Sequence, residues 1–259
     1  MSGPGKTSAA WLAVAAIAGA ALGAVGMKVM RPSAPPSAPP ATPNAAATKC
    51  PVHYDASGQL QVDDQQETAR LRRALKGGVF VPWTQIGRAP TPEEFARALH
   101  LSQPDADGLL DRLQACGESV GGGILRAPES KLIAVAWPLS NVPTGITVTT
   151  LGGKPVFARC AIDALGVSEM LQKRTVIDAS ARDNGAPIRI VVDVDKIVSA
   201  EPADVVVVKG RGCDDMVFFS SRAAAESWRA ENDRDATLYS LAEALQRGAK
   251  IFNRETGGL

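Results

Sequence analysis

The sequence predicts an α+β protein: a helical, winged-helix-like N-terminal domain, then a mixed, mostly antiparallel β-sheet domain with flanking helices. Three observations carry this. Helical periodicity and capping signals fill residues 66–117. From Gly121 the period changes to short β-rich runs broken by Pro and Gly. The strands are joined by hairpin signals rather than by helical crossovers, and the remaining helices are collected at the C-terminal end.

The chain has 259 residues, room for about two domains. Between Lys6 and Lys28 lies an uncharged, Ala/Gly-rich stretch, WLAVAAIAGAALGAVGM at its core, long enough to cross a bilayer as a helix. Residues 1–30 are therefore expected to be an uncleaved membrane anchor, with a cleaved signal segment as the alternative. Flanking charges are nearly balanced and do not set an orientation. Residues 31–49, RPSAPPSAPPATPNAAATK, form an extended Pro/Ala-rich linker, because repeated Pro fixes φ and removes donors. The expected folded parts are 50–120 and 121–259.

Within the first, residues 67–76 place Leu71 and Leu75 four apart and should end at Gly77-Gly78. Thr91-Pro92-Glu93-Glu94 supplies an N-cap, a proline at the first helical position and a capping-box glutamate. Residues 104–116 put Leu109, Leu110 and Leu113 on one face. A helix trio of this kind suits packing better than DNA binding, since Asp105, Asp107 and Asp111 would repel phosphate.

In the second, KLIAVAWPL, GITVTTL and KPVFARC read as strands, and RTVIDASARDNGAPIRIVVDV as a hairpin turning at Asp183-Asn184-Gly185. DVVVVKG and MVFFSS are further strands, followed by helices over 223–232 and 238–250.

Composition narrows the chemistry. With 28 basic and 27 acidic residues the chain carries no field of one sign to draw nucleic acid. Its two histidines, His53 and His100, are too few for a histidine-rich metal site. Four cysteines, Cys50, Cys116, Cys160 and Cys213, could form two disulfides, but a chain this long and cysteine-poor is unlike a disulfide scaffold. Cys160 closes a strand and opens the helical run CAIDALGVSEML. There the helix N-terminus favours thiolate, and Asp163 shares its face three residues on. Cys213 sits in KGRGCDDMVFFS, where Gly210 and Gly212 allow close backbone approach. Two thiols from different elements suit a soft ion such as Hg(II), Cu(I) or Zn(II), although zinc would want more ligands than are offered. Alone, each is equally well explained as a packing cysteine, with Asp163 as a helix cap. Cys50 is read as a surface thiol at the linker's end, or with His53 as a mercury-receiving pair; Cys116 as packing at a helix end; Trp137 and Trp228 as core aromatics.

In order, FARCAIDAL, SAEPADVVV, GCDDMVFFSS, AAESWRA and LQRGAKIFNRE resemble the organomercurial (alkylmercury) lyase family over about residues 66–254, most strongly over 156–165 and 211–229. The resemblance implies an enzyme that cleaves a carbon–mercury bond by protonolysis. Cys160 would be mercury ligand and nucleophile, Asp163 the acid/base, and Cys213 the second mercury ligand. It implies no organic cofactor, an organomercurial substrate, and cellular thiols or a mercuric reductase as the Hg(II) acceptor. The family usually lacks an anchor and spacer, and some members carry a second cysteine where this chain has Asp214. Because the thiols must stay reduced, the tethered domain is expected on the cytoplasmic side. The rival readings are a non-catalytic Hg/Cu-binding protein and a metal-sensing winged-helix regulator.

Overall fold

The structure is a computed structural model that describes residues 50–56, 60–120 and 123–256. The expected anchor and linker lie outside these residues. Among the described residues, no helix is long and apolar enough to cross a membrane.

A short hairpin, β1 (Val52–Tyr54) and β2 (Leu60–Val62), leads into α1 (Gln65–Ala74), capped by Asp64, whose carboxylate accepts from the Glu67 N–H. The chain does not stop at Gly77-Gly78, as the sequence suggested. It widens into a π-helical segment, Leu75–Phe80, and continues as α2 (Val81–Ile86). A Cβ on Gly78 would lie 2.6 Å from the Phe95 ring. The glycine thus serves a close helix approach, and packing overrides its tendency to end a helix. Helix α3 (Pro92–Ala98) starts with the expected Thr91–Glu94 capping box, and α4 (Gln103–Val120) follows. Leu71, Val79, Phe80, Trp83, Phe95, Leu110 and Leu113 are buried between these helices.

The large sheet has eight strands, in the order β10-β9-β8-β6-β7-β5-β4-β3. They are β3 (Ile124–Arg126), β4 (Ile133–Ala136), β5 (Leu139–Ser140), β6 (Ile146–Thr150), β7 (Val156–Ala158), β8 (Thr175–Ser180), β9 (Pro187–Asp193) and β10 (Lys196–Glu201). A smaller sheet, β12-β11-β13, holds β11 (Val206–Lys209), β12 (Met216–Phe219) and β13 (Thr237–Ser240). Every pairing among the described residues is antiparallel, so the mixed sheet expected from the sequence is not formed. The hairpin at Asp183-Asn184-Gly185 is present, with Gly185 at φ 72°. Burial alternates along β6 and β9, which marks one face of the sheet as the core face.

On that face lies α5 (Ala161–Leu171), buried at every position except Glu169. A helix apolar all round needs cover on all sides. The other cover is α7 (Leu241–Thr256), which packs against it closely. Glycines set the crossing: a Cβ on Gly166 would fall 2.2 Å from the Phe252 ring, and one on Gly248 would fall 2.7 Å from the Ile162 carbonyl oxygen. Helix α6 (Arg222–Asn232) covers the small sheet, where Trp228 packs on Phe219 with ring centroids 5.6 Å apart. The helix expected over 238–250 begins later, because residues 237–240 pair with β11 as an edge strand first. The fold is α+β, as the sequence indicated.

Candidate active site

Strand β7 ends at Ala158, and Cys160 is the N-cap of α5, with extended backbone at φ −152°. Its Sγ accepts from the Asp163 N–H at 3.5 Å, the place usually taken by a serine or aspartate oxygen. One local motif therefore fixes both residues, since a side chain three positions on returns to the cap. Cys213 comes from the other sheet. It begins a 3-10 turn, Cys213–Asp215, ahead of β12. The loop before it closes tightly: the Gly210 N–H donates to the Asp215 carbonyl, and a Cβ on Gly210 would meet the Asp215 Cβ at 2.6 Å. Cys213 then donates its thiol hydrogen to Asp163 Oδ2 at 3.5 Å.

Cys160, Asp163 and Cys213 thus converge, with their ligand atoms all within 4.8 Å of one another, and both thiols are free. Cys160 is 2 % exposed and Asp163 7 %. Metal–sulfur bonds of about 2.3 Å, as for zinc, span about 4.6 Å in a line, so both sulfurs can close on one soft ion. These three are the site residues singled out from the sequence, and the structure brings them together.

The electrostatics differ from the sequence expectation in one respect. A thiolate was expected at the helix N-terminus. Instead the hydrogen bond with Cys213, then burial, then the charge of Asp163 push the Cys160 thiol well up, against the smaller pull of the Asp163 N–H. The resting sulfur keeps its proton. Burial also lifts Asp163 from its ordinary 3.8 to about 6, against the opposing pull of its thiol hydrogen bonds and of Arg159. A carboxyl poised there can take up and return a proton near neutrality.

Two neighbours were not singled out from the sequence. The Arg159 guanidinium lies over the Trp137 ring, 4.6 Å from its centroid, so Trp137 holds a cation beside the site rather than filling the core. Met216 brings its Sδ to 3.8 Å from the Cys160 Sγ. Its place in CDDMVFF offers no cue beyond an ordinary strand methionine.

Cys50 and Cys116 are elsewhere in their chemistry. They form a disulfide, with Cα atoms 5.5 Å apart. Cys50 is therefore neither a surface thiol nor half of a mercury-receiving pair, and Cys116 is a cross-link as well as a buried packing residue. His53 instead faces Asp63, at 3.3 Å. The even cysteine count conceals one disulfide and one free pair, because the partners of each are far apart in sequence.

On the α+β scaffold, buried Cys160 and Asp163 with half-buried Cys213 form a dithiol–carboxyl cluster, an arrangement suited to thiol chemistry on a soft ion with a proton carrier in contact. Residues 139–253 match the family model "MerB: Alkylmercury lyase". An alkylmercury lyase from Bacillus cereus is 32% identical over 115 residues, 40% of this chain and 52% of the relative. The matched stretch thus spans about half the length of that protein. One from Streptomyces lividans is 27% identical over 216 residues, 72% of this chain and 91% of the relative. A structure described as the mercury-bound form of MerB2 shares the fold, with a TM-score of 0.53 at 21% identity, covering 73% of this chain and all of that one.

Proposed function

We propose that this chain is an organomercurial lyase, cleaving the carbon–mercury bond of alkyl and aryl mercury by protonolysis in mercury detoxification. The observation that carries this is the convergence of two free thiols and a buried carboxyl within 4.8 Å.

The steps follow from the groups present. R–Hg⁺, delivered on a small thiolate, is soft and binds Cys160 in place of its proton, which leaves on the departing thiolate as a thiol. Asp163, ionised above about pH 6, takes the proton of Cys213 as that sulfur binds mercury. Two sulfurs now push charge toward carbon. The Hg–C electron pair takes the Asp163 proton, releasing R–H, with Hg(II) left on Cys160 and Cys213. Nothing is oxidised or reduced, so the chemistry calls for no electron carrier. Hg(II) then exchanges onto an acceptor dithiol.

A thiol-based Hg/Cu carrier would use the sulfurs but has no use for a carboxyl lifted toward neutrality. A winged-helix regulator would need a DNA-binding charge pattern that a net charge of +1 does not promise. The test is benzene release from phenylmercury by the full-length chain in excess thiol. We expect release by the wild type and none by Cys160→Ser or Cys213→Ser; full activity in either variant would remove the assignment.

The proposal extends to a membrane tether through residues 1–30 and the 31–49 linker. The need for reduced Cys160 and Cys213 supports the cytoplasmic face. The Cys50–Cys116 disulfide supports the opposite face, since such bonds persist in oxidising compartments and rarely in the cytosol. The disulfide weighs more: burial shields Cys160 from oxidants, whereas a disulfide such as Cys50–Cys116 rarely persists in a reducing compartment. Acid-quenched thiol trapping in intact cells separates the two. Unlabelled Cys50 and Cys116 with labelled Cys160 and Cys213 is expected; four labelled cysteines would return the domain to the cytoplasmic face.

A further inference from the structure

Cys160 has a sulfur neighbour that the proposed reaction leaves unused. Met216 opens β12, three residues beyond Cys213, and its Sδ lies 3.8 Å from the Cys160 Sγ. Its side chain is half-buried and packs against the core, unlike the fully buried Phe218 and Phe219 that follow. A thioether is a weak acceptor for a thiol hydrogen. It is a good soft donor, polarizable and without a proton to lose.

We propose that Met216 is a positioning residue for mercury, its Sδ making a third, weaker sulfur contact to the ion held by Cys160 and Cys213. This rests on the organomercurial lyase reading of the site. In the resting protein the Sδ lone pair faces the Cys160 S–H. When mercury replaces that proton, the same lone pair faces the metal, with no bond to break and no change of charge on Met216. During cleavage a third donor adds electron density to mercury as carbon leaves with its pair. Afterwards it slows escape of Hg(II), yet being neutral it yields readily to an incoming dithiol. The carboxyl of Asp163, a hard oxygen donor, is then free for proton transfer.

Selenomethionine labelling of the full-length chain tests this without altering the fold. After loading with one Hg(II), X-ray absorption at the mercury edge should show a mercury–selenium contact in addition to two mercury–sulfur bonds. That contact should vanish in labelled Met216→Leu, which excludes the other methionines. Unlabelled Met216→Leu should surrender Hg(II) to a competing dithiol about tenfold more readily, the scale of losing a neighbour that tunes a metal ligand. Its kcat for phenylmercury should fall while KM holds. A wild-type protein that releases benzene and binds Hg(II) through Cys160 and Cys213 but shows no mercury–selenium contact would overturn the role of Met216 and leave the lyase reading intact. A wild type that releases no benzene would overturn both. Should Met216→Leu not fold, the labelled wild type alone decides.

Discussion

The two cysteine pairs of this chain have opposite fates. Cys50 and Cys116 are covalently joined, tying the segment at the start of the described fold to α4 across a separation of 66 residues. Cys160 and Cys213 are separated by 53 positions and converge as closely as a shared ion requires, yet both stay free. The difference lies in what surrounds the sulfurs. The first pair sits with Cα atoms 5.5 Å apart, a spacing that suits a disulfide. The second pair shares a buried carboxyl, and the hydrogen bond with Cys213, then burial, then the charge of Asp163 keep Cys160 protonated. A cross-link and a pair of free thiols thus coexist on one fold.

The largest expected effect breaks the reactive pair. Asp163→Ala should still bind Hg(II) but release benzene about a thousandfold more slowly, the usual scale for losing a positioned acid or base. Single-turnover hydrocarbon release checks this, and an unchanged rate would remove Asp163 from the chemistry.

Breaking the other pair should cost stability and leave chemistry in place. Closing a loop of this length is worth about 4 kcal/mol in the chain-entropy account. The double variant Cys50→Ala, Cys116→Ala should melt about 10 °C lower by calorimetry, with benzene release retained at 25 °C. Loss of turnover in a folded double variant would mean that the pairs are coupled.

The third effect is pH dependence at Asp163. Burial raises its folded value to about 6 while the unfolded chain keeps about 3.8. Between these values the folded state holds a proton that the unfolded state has released. Stability therefore falls as pH rises from about 4 to about 6, then levels. Asp163→Asn removes that loss and should be more stable than wild type at pH 8 by up to about 3 kcal/mol, the difference closing below pH 4. Denaturant titrations at pH 4 and 8 measure it. The same value implies that kcat/KM of the wild type falls as pH drops through about 6, where the free enzyme's proton acceptor fills.

The smallest effect tests the scaffold. Gly166→Ala drives a methyl into the Phe252 ring at the α5–α7 crossing and should cost about 2 kcal/mol. Because α5 carries Cys160 and Asp163 at its start, a slower benzene release should accompany the lower melting temperature.

What the sequence revealed follows the range of the interactions. The Thr91 capping box, the Asp183-Asn184-Gly185 turn, and Cys160 with Asp163 at the head of α5 are all local, within four residues, and were legible. Gly77 and Gly78 were misread as a stop, because the Phe95 ring that requires Gly78 comes from another helix. Residues 238–240 read as helix in the sequence, because their pairing to β11 is a tertiary event. The Cys50–Cys116 bond and the approach of Met216 to Cys160 join distant positions with no local signature. Cys213 is a soft-ion candidate only in company with Cys160, and its role as second mercury ligand comes from resemblance to a family, since its own surroundings spell only a tight turn before a strand.

The central claim, that one pair reacts and the other only ties, can be measured in one experiment. After a single turnover of phenylmercury, mass spectrometry of the alkylated protein maps which cysteines the retained mercury shields. One Hg(II) per chain, shielding Cys160 and Cys213 while Cys50 and Cys116 remain joined, is the predicted result. Mercury held at Cys50 or Cys116, or benzene released with Cys160 and Cys213 both open to alkylation throughout, would contradict it.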